Sequence, residues 1–260
     1  LMVDGELVGA VSEERFTREK MDKAFPVRSI DEVLAAGGLR SVRDVDVVAY
    51  SWFKGLDPEI LPTLADRILH EQRENPDGLE LLLERIRWEV SQTRPNRDAF
   101  EAWAAAQGVS DRVVDFYHHE GHALSAALLA PFDEGLVVTA DGRGDFESAS
   151  IWDFDRRRRP ALTRRLSVPS NDSLGYFYGR ITGLLGFRPH RHEGKVTGLA
   201  AHGDPTVAID LMRAMIEFED GTLRARNGAL FRPFFAPYSP ELVDAVTSHR
   251  REDVAAAAQA

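Results

Sequence analysis

Two segments that each begin with a strand and a tight turn constrain the fold of this sequence most strongly. The chain opens LMV-DG-ELVGAV, where Asp4-Gly5 separates two short apolar runs and predicts a β-hairpin over residues 1–13. A second unit begins near Leu136, where EGLVVTADG predicts a strand, FESASIWDFD its hairpin partner and PALTRRLSVP a third antiparallel strand. Helix and strand patterns alternate after each hairpin. The sequence therefore predicts an α/β protein with a duplicated fold and a cleft between its halves.

The remaining patterns divide the chain into two lobes. Six or seven elements are predicted between the hairpins: a helix in VRSIDEVLAAGGL, a strand in VDVVAYS, two or three helices over 57–107 broken near Pro95, a strand in RVVDFY and a helix over 118–130. The predictions after the third strand are a helix over 172–186, a glycine-punctuated segment KVTGLAAHGDP, a helix near 205–218, a strand near 221–226 and further helices. We expect a first lobe over 1–134, with a helical insertion at about 54–107, and a truncated second lobe over 135–260. The opening half-hairpin and the uncapped last helix, REDVAAAAQA, suggest a fragment that is incomplete at both ends.

Composition and charge narrow the classes of partner. The hydrophobic content of 43% is sufficient for a packed core, and the net charge of −10 argues against general nucleic-acid binding. The basic run Arg156–Arg159 is interpreted as a solvated turn. The sequence has no cysteine, which fits a reducing compartment, and it has no signal peptide and no apolar run of ~20 residues. We therefore expect a cytoplasmic protein with neither nucleic-acid nor membrane partners.

The segment HHEGHALSA and the strand after it carry the main candidates for a metal site. His118 and His122 are spaced i, i+4, so their imidazoles share one face of a helix and can bind one metal ion. The zincin pattern is excluded, because it would require histidine where Ala123 stands. Asp141 follows a buried strand and can add an oxygen ligand, giving a mixed site typical of Fe²⁺, Mn²⁺ or Zn²⁺. The alternatives remain that the histidines only begin and pack the helix, and that Asp141 lies in a tight hairpin turn.

Further candidates lie in glycine-containing segments and in one charged loop. In DGRGD, Gly142 and Gly144 permit close backbone approach to a ligand, and Asp145 can face a phosphate–cation pair. Lys195, in EGKVTGLAAHG, stands beside glycines, although the spacing is not that of a Walker A loop. Lys20 lies in the charged segment EERFTREKMD, and its simpler interpretation is an ordinary solvated side chain.

Five motifs in order resemble the O-carbamoyltransferases of the nodulation-factor, cephamycin and tobramycin type. They are LMVDGELVGAVSEERFTREKMDKAFP, HHEGHALSA, DGRGD, SLGYFYGRITGLLGF and EGKVTGLAAHGDP, spread over about residues 1–205. The resemblance implies the N-terminal part of a duplicated actin-like ATPase (ribonuclease H-like) fold, with mixed sheets flanked by helices. It also implies that the adenylate-forming C-terminal domain is absent from this chain.

The resemblance further implies an activity and roles for individual residues. In the family, carbamoyl phosphate and ATP give a carbamoyl-adenylate, and the metal-bearing domain passes the carbamoyl group to the hydroxyl of a small acceptor. His118, His122 and Asp141 correspond to three ligands of an iron(II)-type site, and Lys20 corresponds to the catalytic-loop lysine that contacts the carbamoyl phosphate. The other substrate- or nucleotide-binding candidates are Gly142, Gly144, Asp145, Lys195 and Gly198.

Two other functions stay open on the sequence alone. One is a relative that transfers threonylcarbamoyl to tRNA, against which the acidic balance and the EERFTR loop weigh. The other is a non-catalytic, nucleotide-binding actin-like module. The isolated chain is expected to be inactive in transfer, because essential parts of the family's site lie outside it. The acceptor and the oligomeric state are not predicted.

Overall fold

The protein is a mixed α/β structure, as its sequence predicts. The computed structural model describes residues 1–20, 22, 24–52, 55–219, 221–228, 230–233 and 236–247. Its helices are α1 Glu14–Thr17, α2 Val27–Ala36, α3 Leu61–Glu74, α4 Pro76–Gln107, α5 His118–Leu129, α6 Leu174–Leu184, α7 Glu193–Ala200, α8 Ile209–Met215 and α9 Pro240–Thr247. Its strands are β1 Met2–Val3, β2 Glu6–Leu7, β3 Val48–Tyr50, β4 Val113–Asp115, β5 Glu134–Gly144, β6 Glu147–Asp155, β7 Leu162–Pro169, β8 Ile216–Glu219 and β9 Thr222–Ala225. The predicted helix in the last residues, 251–260, lies outside the described part.

The chain forms two compact units, one of residues 1–54 and 92–116 and the other of residues 55–91 and 117–260. Helix α4 contributes residues to both units. The sequence-based division into lobes at residues 134 and 135 stays a prediction. Within the described ranges, none of the helices combines the length and apolar character that a membrane crossing requires.

The first unit contains the predicted opening hairpin and one parallel strand pair. Strands β1 and β2 pair antiparallel around Asp4 and Gly5, whose φ angles of 50° and 86° suit a two-residue hairpin turn. Strands β3 and β4 are parallel, with Val48 opposite Val113. Helix α2 and the end of α4 build the core of this unit, whose buried members are Leu34, Val42, Ala104 and Val109.

The predicted break near Pro95 is wrong, because α4 continues through this proline to Gln107. A proline removes one i→i−4 hydrogen bond and usually ends or kinks a helix. Here the turns before and after it are held by burial: Glu89 is 1% exposed, Thr93 is 2% exposed and Phe100 is 4% exposed. Tertiary packing therefore outweighs the local cost of the proline.

The second unit is built on an antiparallel sheet in the order β5-β6-β7. Helix α5 packs on one face of β5 and β6, and the buried core between them contains Ala123, Ala127, Val137, Trp152 and Phe154. The pairing of β5 with β6 is regular from Glu134 to Ala140 and then shifts, resuming at Gly144. This irregularity re-aims residues 141–143 out of the regular ladder.

Two elements after α6 differ from the sequence-based predictions. The segment EGKVTGLAAHGDP contains helix α7, because Val196 is fully buried and the Tyr178 hydroxyl on α6 lies 2.8 Å from Thr197 Oγ1. The predicted helix near 205–218 is α8 only to Met215, where β8 begins and pairs with β9. In both places contacts with neighbouring elements, rather than local propensity, decide the structure.

A buried ion pair ties α3 to the segment before α6. Arg67 Nε donates to both carboxylate oxygens of Asp172, at 3.1 and 2.9 Å, and the Ala225 backbone N–H donates to Asp172 at 2.8 Å. The two charged side chains are 4% and 1% exposed. Arg67 is also paired with the buried Glu71, so Asp172 is one of two carboxylates that balance its charge.

We expect Asp172→Ala to lower the free energy of unfolding by ~1–3 kcal/mol, because it removes one of the two carboxylates paired with Arg67 and leaves the buried Ala225 N–H without its acceptor. Asp98→Ala is the matched control: it removes an Arg94–Asp98 pair whose side chains are 61% and 55% exposed, and the loss should be under ~1 kcal/mol. Urea unfolding of both variants measures the difference. Equal effects of the two substitutions would contradict this account of the buried pair.

Candidate metal centre

Helix α5 begins at His118 and carries two of the three predicted metal ligands. The first backbone N–H of this helix, that of His118, donates a hydrogen bond of 2.8 Å to Asp145 Oδ2, in the turn after β5. Without such a partner, the N–H groups of a helix start lose their hydrogen bonds when they are buried. The i, i+4 spacing then places the imidazoles of His118 and His122 on one face, with ring centroids 4.5 Å apart.

Asp141 lies inside strand β5, so the interpretation of Asp141-Gly142 as a tight hairpin turn is wrong. The turn falls four residues later, at Asp145 and Phe146, whose φ angles are 51° and 70°. The register shift between Ala140 and Gly144 projects residues 141–143 from the ladder. This course of the chain presents the Asp141 carboxylate to the histidine face of α5.

The ligand atoms of His118, His122 and Asp141 all lie within 4.8 Å of one another. Asp141 Oδ2 is 3.0 Å from His118 Nε2 and 3.5 Å from His122 Nε2, and the two Nε2 atoms are 3.0 Å apart. Donors ~2.1 Å from one ion lie ~3.0 Å apart in octahedral geometry and ~3.4 Å apart in tetrahedral geometry. The three donors therefore fit a shared divalent cation without rearrangement, in the two-imidazole, one-carboxylate set suited to Fe²⁺.

The site is half-open to solvent. His118 is 13% exposed, whereas His122 is 52% exposed and Asp141 is 43% exposed. Three protein donors on one side leave positions on the other side for a substrate.

The carboxylate of Asp141 is held in its charged form. Burial alone would raise its pKa, but hydrogen bonds from His118 and from the Gly142 N–H and the nearby imidazoles lower the pKa to about 2. The Gly142 N–H donates to Asp141 Oδ1 at 2.6 Å, which leaves Oδ2 directed at the histidines. An ionised carboxylate oxygen beside two imidazoles is a ready-made cation ligand.

Two glycines permit the close approach of the elements that carry the donors. A Cβ at Gly144 would lie 2.1–2.5 Å from the ring and Cβ atoms of His118, so the imidazole occupies the space of a side chain. A Cβ at Gly175, on α6, would lie 3.1 Å from Gly142 Cα and 3.2 Å from Asp141 O. Gly144 therefore serves packing around the donors, a use that the sequence-based interpretation of close ligand approach did not distinguish.

The turn after Gly144 is anchored on both sides by buried groups. The Phe146 N–H donates to Glu89 Oε1 at 3.1 Å, and its carbonyl accepts the Ser170 N–H at 2.8 Å. Asp145 is 4% exposed and Glu89 is 1% exposed. The structure therefore places Asp145 in a buried position, directed at the backbone of the helix that carries His118 and His122.

His119 is a buried residue of the site that the sequence analysis did not single out. It is fully buried, and its Nδ1 lies 2.8 Å from Thr139 Oγ1 while its Nε2 lies 3.2 Å from the Glu147 carbonyl. Burial lowers its pKa to about 4, so the ring is neutral at physiological pH. The adjacent pair His118-His119 was the signal in the sequence, because neighbouring helix residues point ~100° apart and only one of the two can face Asp141.

The remaining predicted residues lie on other elements. Lys195 and Gly198 are exposed on α7, and Lys195 Nζ lies 3.3 Å from His192 Nε2. Helix α7 packs on α6, whose Tyr176 ring lies 3.9 Å from the Cβ position of Gly142. Lys20 is exposed in the other unit, three residues after the end of α1.

Gly144→Ala should displace the His118 imidazole and lengthen its 3.0 Å contact with Asp141. Because this hydrogen bond lowers the pKa of Asp141, that pKa should rise from about 2 toward the ordinary value of 3.8. Carboxyl-carbon NMR titration measures it. Gly194→Ala is the control, since no described atom lies within 4 Å of its Cβ position. An unchanged titration of Asp141 in Gly144→Ala would contradict the packing role of Gly144.

Comparison with known proteins places this arrangement in a family. The nodulation protein NolNO of Sinorhizobium fredii is 29% identical over 254 residues, which cover 96% of this chain and 33% of that protein. An uncharacterised protein of Synechocystis, sll1178, is 29% identical over 231 residues, covering 86% of this chain and 36% of its own length. The nodulation protein NolO of Bradyrhizobium diazoefficiens is 36% identical over 103 residues, or 40% of this chain and 18% of its own.

The chain thus spans about a third of the length of the first two relatives. The family described as "Carbamoyltransferase N-terminus" matches residues 1–232, a range that contains both strand-and-turn units and the whole His118–His122–Asp141 group. The chain belongs to this carbamoyltransferase family.

Proposed function

We propose that this chain is the metal-binding N-terminal part of an ATP-dependent O-carbamoyltransferase. The carbamoyl group would come from carbamoyl phosphate through a carbamoyl-adenylate and pass to a hydroxyl of a small secondary metabolite or glycan. In that transfer the acceptor oxygen would form a bond to the carbamoyl carbon, the bond from that carbon to the phosphate oxygen would break, AMP would leave with its phosphate, and the hydroxyl proton would pass to water. Family membership and the His118–His122–Asp141 group together support the proposal.

The convergence of three donors is the observation that carries it. Two imidazole nitrogens and one carboxylate oxygen lie 3.0–3.5 Å apart, on a half-open face. A divalent cation held there, Fe²⁺ in our proposal, would act as a Lewis acid and orienting template for carbonyl and phosphate oxygens. The chain's own contribution is to keep Asp141 ionised and His118 fixed against Gly144.

Several other residues are proposed to bind the substrates. Lys20 would neutralise phosphate charge of the carbamoyl donor as a point cation. Gly142 and Gly144 in the bulged end of β5, with Asp145 in the turn after it, would shape the backbone beside the bound ion, and Lys195 and Gly198 on α7 would lie along the nucleotide. Helix α6 supports this arrangement, because it contacts both the Gly142 loop and α7.

We also propose that the fold is the duplicated actin-like one. The antiparallel β5-β6-β7 sheet with α5 and α6 packed on β5, and the β1-β2 hairpin followed by α2 and a parallel strand pair, are compatible with two related α/β lobes. An actin-like lobe supplies a nucleotide-binding framework in the proposed enzyme. The alternatives of tRNA modification and of a non-catalytic nucleotide module have no separate observation in their favour.

Metal analysis tests the site. The complete protein should contain about one Fe²⁺-like ion per chain, and His122→Ala should abolish it, because two remaining donors bind a divalent cation far more weakly. His70→Ala, on α3, is the matched control and should keep the ion. Equal metal content in wild-type protein and His122→Ala would refute the ligand assignment.

Activity is tested with carbamoyl phosphate, ATP and a panel of hydroxylated acceptors. We expect a carbamoylated small-molecule product. The rate of its formation should fall by at least ~100-fold in the His122→Ala protein, since metal polarisation supplies several kcal/mol of transition-state stabilisation. Product formation on tRNA instead would favour the threonylcarbamoyl-transfer alternative. Nucleotide binding without any transfer would favour the non-catalytic module.

A further inference from the structure

A chain of four buried side chains runs across the β5-β6 ladder and ends on the helix that carries the histidines. Trp152 Nε1 lies 2.7 Å from Ser150 Oγ, Ser150 Oγ lies 2.5 Å from Thr139 Oγ1, and Thr139 Oγ1 lies 2.8 Å from His119 Nδ1. The chain continues from His119 Nε2 to the Glu147 carbonyl at 3.2 Å. All four side chains are 5% exposed or less.

The direction of every hydrogen bond in this chain is fixed by its two ends. An indole N–H can only donate and a carbonyl can only accept. Trp152 therefore donates to Ser150, Ser150 donates to Thr139, and Thr139 donates to His119 Nδ1. His119 Nε2–H then donates to the Glu147 carbonyl, so one tautomer and one ring orientation satisfy all the groups.

The hydrogen-bond chain from Trp152 to His119 fixes how α5 is rotated about its axis. His119 points ~100° away from His118 around the helix, so the ring that faces the sheet determines where its neighbours point. The His119 ring also backs both outward-facing rings, with centroids 5.6 Å from His118 and 6.0 Å from His122. A rotation of α5 that released His119 from Thr139 and Glu147 would carry His118 away from Asp141.

We propose that His119 is a positioning residue for the metal centre, held in place by the Trp152–Ser150–Thr139 hydrogen-bond chain. It does not touch the ion; it fixes the helix that presents His118 and His122 to Asp141. This inference rests on the proposed function in so far as the ion is concerned, whereas the positioning of the three side chains is a property of the metal-free protein as well.

Thr139→Val and Thr139→Ser form the decisive pair of variants. Valine keeps the shape of threonine but removes the hydroxyl, which leaves His119 Nδ1 without its donor. Serine keeps the hydroxyl and the chain of donors. His119→Leu is the direct variant, but it opens a buried space. If the His119→Leu protein does not fold, the two Thr139 variants still test the proposal.

The metal-free complete protein is titrated with Co²⁺ alone, and the dissociation constant and visible absorption spectrum are recorded beside the thermal unfolding temperature. We expect Thr139→Val to bind Co²⁺ ~10–100-fold more weakly, with an altered spectrum, as when a residue that orients a metal ligand is lost. Thr139→Ser should restore the affinity and spectrum of the wild type. A lower unfolding temperature with unchanged Co²⁺ affinity and spectrum would show a merely structural role and overturn the proposal.

A crystal structure of metal-free Thr139→Val separates this proposal from the proposed function. It should show His118 Nε2 displaced from its 3.0 Å contact with Asp141 Oδ2. Failure of the wild type to bind Co²⁺, with this displacement seen, would refute the metal function but keep the positioning role. An undisturbed contact between His118 and Asp141 in that crystal structure would overturn the positioning role.

Discussion

The close contact between the His118 imidazole and the backbone of Gly144 is the constraint on which the rest of the site depends. The ring fills the volume that a side chain at position 144 would occupy. Only with that space open can the first turn of α5 lie against the bulged end of β5, and only then do nitrogen and oxygen donors come within 3.0–3.5 Å. The three donors come from two elements, α5 and β5, so their convergence is a consequence of backbone packing rather than of the donors themselves.

Support for this contact comes from residues that are distant in sequence. Glu89, in the N-terminal half of α4, accepts the Phe146 N–H and is also paired with Arg85 at 3.0 Å. The helical segment that resembles an insertion in the sequence thus reaches the turn that holds the helix start. Two further contacts hold α5 in place. His119 is hydrogen-bonded to Thr139 of the sheet, and Asp145 accepts the first N–H of α5. The donors sit on rigid elements whose own partners are buried, the arrangement that preserves ligand geometry best.

Much of this architecture follows from local sequence patterns. The Asp4-Gly5 turn, the order of β5, β6 and β7, and the meeting of His118, His122 and Asp141 could be predicted, because turn chemistry, strand alternation and i, i+4 spacing act over short distances. The continuation of α4 through Pro95, the helical state of α7 and the exact course of residues 141–146 could not be. Each is decided by tertiary burial, which contributes more free energy than a proline or a glycine costs locally.

The roles of individual residues were harder to predict than their proximity. Asp145 has the chemistry of a phosphate or cation contact, yet its carboxylate is buried against a backbone amide. His119 looks equivalent to its neighbour in the sequence, yet it faces the sheet. A pattern of residue types indicates which groups meet, but the direction of each side chain depends on packing that no short window contains.

The turn at Asp145 and Phe146 couples backbone strain to burial. Both residues have left-handed backbone, which an aromatic residue adopts at a cost of ~1–3 kcal/mol, whereas asparagine and glycine adopt it readily. An Asn-Gly pair would relieve this cost, but Phe146 is 6% exposed, and the loss of a buried aromatic side chain costs ~3–5 kcal/mol. The same pair would also replace the anionic acceptor of the first N–H of α5 by a neutral one. Redesign of this hairpin toward common turn residues would therefore lower stability and weaken the start of the histidine helix together.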